Sequence, residues 1–133
     1  MDLPPWLFKA KASRVLGLLL PVTELTGGWL DFTGSMCAEN DKAIQELGRR
    51  LDTDLPFNPV AITIGCGRES HGYETKFSGP GISHARGRDL RLQYLEDQCT
   101  SAAKGKWVSH RRLEYTSPGG SRFLTTIGDI VRD

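Results

Sequence analysis

Residues 107–127 read Trp107-Val108-Ser109-His110-Arg111-Arg112-Leu113-Glu114-Tyr115-Thr116-Ser117-Pro118-Gly119-Gly120-Ser121-Arg122-Phe123-Leu124-Thr125-Thr126-Ile127. The first nine predict a strand, with Trp107, Leu113 and Tyr115 on one face and Val108, His110, Arg112 and Glu114 on the other. Ser117-Pro118-Gly119-Gly120 is a turn sequence, and Arg122 to Ile127 returns as the hairpin partner. This hairpin places an antiparallel sheet at the end of the chain.

Upstream, Val60-Ala61-Ile62-Thr63-Ile64 is a β-branched run bounded by proline and glycine, which predicts a buried strand. Leu90, Leu92 and Tyr94 alternate with Arg91 and Gln93 and predict another strand, followed by a short helix over 95–103. Between them, residues 65–83 hold five glycines, Pro80, Arg68 and His71. A loop of that length after a core strand is a candidate functional segment. Ala38 to Leu51 predicts a helix, since Ala43, Ile44, Leu47 and Leu51 share a face that charged residues flank. Thr26 to Gly34 reads as a turn leading into a short half-buried segment. An N-terminal helix is expected to pack Val15, Leu16, Leu19 and Leu20 into the core. The expected fold class is α+β: N-terminal helices packed on a small, mainly antiparallel sheet, as one domain over 1–133.

Seventeen Lys plus Arg stand against sixteen Asp plus Glu, a net charge of +1, which gives no global pull toward nucleic acid or anionic membrane. Residues 66–133 carry eleven basic and eight acidic side chains, and all three His. Cys37, Cys66 and Cys99 are widely spaced with no CxxC pair, so neither a disulfide framework nor a zinc ribbon is indicated. A reducing, cytoplasmic location is expected. The longest apolar run, Val15 to Val22, has eight residues and cannot span a bilayer. Lys9, Lys11 and Arg14 precede it in the order of a signal peptide, but no small-x-small cleavage site follows.

The densest cluster of reactive side chains is Ser83-His84-Ala85-Arg86-Gly87-Arg88-Asp89-Leu90-Arg91. A two-residue turn at Arg86-Gly87 would set His84 opposite Asp89, with Cβ atoms about 4.5–5.5 Å apart. Such a pair makes a cross-strand hydrogen bond or shares a metal ion, with His110 as the available third ligand. Cys66 with His71 or His84 is a weaker nucleophile–base pair, and with Cys99 a weaker metal set. Ile64-Gly65-Cys66-Gly67 resembles a methyltransferase glycine loop, but too little chain remains for its doubly wound sheet.

Three pieces in order, Ile62-Thr63-Ile64-Gly65 with Arg68, Ser83-His84 through Gly87-Arg88 to Asp89-Leu90-Arg91, and His110 followed by Leu113-Glu114-Tyr115, resemble the zinc D-alanyl-D-alanine carboxypeptidase and L-alanyl-D-glutamate peptidase family, small phage endolysins included. The resemblance spans Val60 to Tyr115. It implies zinc held by His84, Asp89 and His110, a substrate carboxylate gripped by Arg68, and murein peptides as substrates. Asp89 follows Gly87 by only two residues, and Trp107 stands where the family carries its acidic base. Glu114 is the substitute on the same predicted face as His110, at about 13 Å along a strand. These departures imply low or absent turnover. The alternative is a non-catalytic binding protein from a phage or mobile element. It would use Arg86, Arg88, Arg91, Lys104, Lys106, Arg111 and Arg112, with Trp107 as anchor, against an acidic protein surface or nucleic acid.

Overall fold

A computed structural model describes residues 25–132, so the expected N-terminal helix around Val15 to Leu20 and the signal-like run lie outside the described residues. The elements run β1 (Gly28–Asp31), α1 (Ala38–Arg50), β2 (Phe57–Cys66), α2 (Glu74–Phe77), α3 (His84–Ala103), β3 (Lys106–Thr116) and β4 (Arg122–Val131). The fold is α+β, as expected. No helix among the described residues is long and apolar enough to cross a membrane.

The sheet has the order β1-β2-β4-β3. The β1–β2 pair is parallel and the other two pairs are antiparallel. Gly120, with φ near 89°, and the bond from the Gly120 amide to Ser117 O (2.9 Å) make the expected turn between β3 and β4.

α1 forms where the apolar spacing predicts it. Cys37 caps it, its Sγ accepting from the Asn40 amide at 3.4 Å. Glu39 and Asp41 sit in its first turn and Arg49 and Arg50 in its last, each complementing the helix dipole.

The expected strand at Leu90 to Tyr94 is instead part of α3. Ser83 starts that helix by accepting from the Arg86 amide at 3.1 Å. Leu92, Leu95, Glu96, Cys99 and Ala103 then fall on its buried face. Burial that recurs at helical spacing from Leu92 to Ala103 outweighs a five-residue alternation. Lys104, at φ 56°, ends the helix in the left-handed region.

The even-numbered residues of β2 and β4 face the helices. Val60, Ile62, Ile64, Leu124 and Ile130 form one core with Leu30 of β1, Ala43, Ile44 and Leu47 of α1, and Leu92, Leu95 and Cys99 of α3. At the helix contact, a Cβ on Gly48 would lie 2.6 Å from the Cys99 carbonyl oxygen, so only glycine permits that approach.

β3 carries a bulge between Ser109 and Arg111, with His110 the extra residue. The bulge inverts the predicted facing of the second half of the strand. Trp107, paired with Ile130, shares the helix side with Arg112 and Glu114, whereas Val108, Leu113 and Tyr115 face the other side.

Candidate functional site

The hairpin expected to join His84 to Asp89 is the first turn of α3. Five helical residues separate the two side chains by about 140° around the axis, so they do not share a face. Asp89 pairs with Arg88 at 3.4 Å. His110 sits on the bulge with its Nε2 2.5 Å from Asp129 Oδ2. Among the described residues no group of three or more His, Cys, Asp or Glu is gathered around one point. His84, Asp89 and His110 therefore do not make the convergent donor set that one zinc ion needs.

Most of the arginines expected at a binding surface are used inside the molecule. Arg112 Nη2 and Nε donate to Glu96 at 2.7 and 3.0 Å. Arg91 Nε donates to Glu69, Arg122 donates to Glu114, and Arg88 reaches Glu114 at 3.5 Å. The Arg122 guanidinium, with Arg88 beside it, holds the Glu114 carboxyl below the usual carboxylate range. A carboxylate so tied is a poor proton acceptor, which weighs against Glu114 as a general base. Trp107 packs against the core. Arg68, at φ 56°, and Arg86 are exposed and have no ion pair among the described residues.

One part of the predicted constellation does converge. The end of β2 and the start of α3 border a cavity of about 190 Å3, walled by Cys66, Phe77, Ile82, His84, Arg91 and Arg122. Its lining contains cations and an imidazole but no carboxylate. Ser83 Oγ satisfies the Arg86 amide and Ser83 O the Gly87 amide, which leaves the His84 and Ala85 amides without an intrahelical acceptor. Arg91 and Arg122 already pair with Glu69 and Glu114, and their remaining N–H groups, together with the His84 ring and amide, are the donors at the wall, a set that suits an anionic oxygen group.

Arg122 carries no local sign of a site residue, and Cys66 reads in the sequence only as a weak nucleophile or metal ligand. They meet because Cys66 is the cross-strand partner of Arg122, a register that depends on β4 lying beside β2. The three thiols differ in chemistry. Burial pushes Cys99 up to about 12, which makes it inert. Cys37 serves as a helix cap, while Cys66 is half-buried and lines the cavity.

No family model, curated protein or solved structure matches the chain.

Proposed function

We propose that this domain is a non-catalytic binding module that takes an acidic side chain or terminal carboxylate of a partner protein into the cavity at the start of α3. The observation that carries this reading is the composition of the cavity wall: the His84 ring and amide, with the N–H groups of Arg91 and Arg122 that their bonds to Glu69 and Glu114 leave over, and no carboxylate among the lining residues. The bound carboxylate would accept charge-assisted hydrogen bonds from these donors, and Arg68 and Arg86 nearby in sequence add positive charge for steering. The volume favours a side chain or chain end over a larger group. The separated zinc ligands and the tied-up Glu114 favour binding over hydrolysis.

Cys66 provides the readout. A hexaglutamate peptide is expected to protect this thiol from alkylation, and an amidated hexaglutamine peptide is expected to have no effect. Arg122→Gln and His84→Gln should each weaken hexaglutamate binding about tenfold, the loss of roughly one charge-assisted hydrogen bond. Equal protection by both peptides, or unchanged affinity in both variants, would overturn the reading.

A further inference from the structure

The large apolar side chains that the fold leaves exposed are Trp29, Phe57, Val108, Leu113 and Tyr115, at 37% to 70%. The strand register places all five on the side of the sheet away from the helices. Phe123 stacks on Tyr115 there, with centroids 5.3 Å apart, and Ala61 and Ile127 lie between the edges. The polar groups in the middle of this face are already satisfied. Thr63 and Thr125 share a 2.7 Å hydrogen bond, and Asp129 bonds His110. An apolar face of this extent, with its polar groups paired internally, is suited to burial.

The two edges of the face carry opposite charge. Asp31 lies on β1, and Lys106 and Arg111 lie on β3; none of the three has an ion pair within the described residues. One row across the sheet reads Trp29-Ala61-Ile127-Arg111, and the next on this face reads Asp31-Thr63-Thr125-Leu113.

We propose that a second copy of this chain covers this face, the two sheets packing through a two-fold axis parallel to the strands. That axis lays β1 of one copy over β3 of the other and β2 over β4. Trp29 then meets the partner subunit's Arg111, a cation–π arrangement, and Asp31 falls one row from the same guanidinium. The symmetry makes each contact twice. A two-fold axis across the strands would instead lay β1 on β1 and β3 on β3, bringing Asp31 near Asp31 of the partner subunit and Arg111 near Arg111 of the partner subunit. The charge separation therefore selects the axis along the strands. Three strands of ~33 Å and the shorter β1 of ~13 Å, at ~4.8 Å spacing, give a face of ~550 Å2 per copy. That is the lower end of a stable interface.

Sedimentation equilibrium on the full chain tests this. The wild type is expected at twice 14.7 kDa. Ile127→Glu should be monomeric with an unchanged circular dichroism spectrum. Asp31→Arg alone should raise the dimer dissociation constant at least tenfold, and the double variant Asp31→Arg, Arg111→Asp should recover most of that loss. A wild-type chain that stays monomeric at 100 µM, as it would if its own residues 1–24 covered the face, overturns the proposal. A dimer that survives Ile127→Glu, or a charge swap that fails to rescue, overturns it as well.

Discussion

Arg112 on β3 grips Glu96 on α3 through Nε and Nη2, one to each carboxylate oxygen, and the carboxylate is almost fully enclosed. Glu96 also accepts from Thr126 Oγ1 at 2.6 Å, so one buried carboxylate joins the long helix to two strands. The His110 bulge makes this possible, since without the extra residue Arg112 would face the opposite side. Removing one partner of such a pair leaves the other's donors unmet. Glu96→Ala should therefore cost about 3 kcal/mol in urea unfolding. A double replacement, Glu96→Leu with Arg112→Met, should cost clearly less, because both charges leave together. Equal losses in the two variants would show that the lost volume, not the unpaired Arg112, sets the cost.

Asp41 anchors a second buried network. Its carboxylate accepts from Tyr94 OH at 2.6 Å, Tyr73 OH and Gln98 Nε2 at 2.8 Å, and Gln45 Nε2 at 3.2 Å. Burial raises its pKa, but the four hydrogen bonds, that from Tyr94 foremost, outweigh burial and leave it below the usual carboxylate value. Because the folded value is depressed, the stability it contributes is complete above about pH 5 and is lost as the pH falls through 4 and below. Unfolding free energy measured from pH 7 to pH 3 should fall more steeply in the wild type than in Asp41→Asn. The variant should already be less stable at pH 7. Parallel curves would remove Asp41 from the acid dependence. Burial, reinforced by the hydrogen bond to the Asp41 carboxylate and its charge, pushes the Tyr73 hydroxyl up to about 12, so Tyr73 should resist deprotonation in a spectrophotometric titration to pH 11.

The elements legible in the sequence were those whose pattern is local. The β-branched run at Val60 to Ile64 and the helix over Ala38 to Leu51 declare themselves by composition and period, and the final hairpin by its turn. α3 was hidden because its buried face includes Glu96, which breaks the apolar stripe, while Leu90, Leu92 and Tyr94 alternate by coincidence. The bulge at His110 was equally hidden, since only the register against β4 reveals the extra residue. Both errors fell on the predicted zinc ligands. The cavity required the pairing of β2 with β4, which links Cys66 to Arg122 across 56 positions of chain and leaves no local trace.

Dialysis against a strong chelator is expected to leave the melting temperature unchanged. His84 begins α3, Asp89 lies on another side of that helix, and His110 is held by Asp129, so the three side chains are not placed to share one ion. For the same reason His84→Ala should melt within about 2 °C of the wild type with or without added zinc, as an exposed surface substitution does. A drop of several degrees on chelation, abolished in His84→Ala, would restore the peptidase-like ligand set.

Gly87 sets helix propensity against packing. It lies within α3, where alanine is favoured over glycine by about 1 kcal/mol. A Cβ at this position would lie 2.5 Å from the Phe77 carbonyl oxygen and 3.1 Å from Arg91 Nη1. The first neighbour is backbone, held by the short α2 and by the buried Phe77 ring under Tyr94, so it has little room to give. Overpacking of this kind costs about 1–3 kcal/mol and exceeds the propensity gain. Gly87→Ala should therefore melt lower than the wild type by a few degrees. Gly87 also borders the cavity with Arg91, so the methyl would push the α2 segment outward and narrow the space a carboxylate would enter. Weaker hexaglutamate binding is expected alongside the lower melting temperature. A variant that melts higher would mean that the Phe77 segment yields easily, and that the wall of the cavity is softer than its close backbone contact with α3 implies.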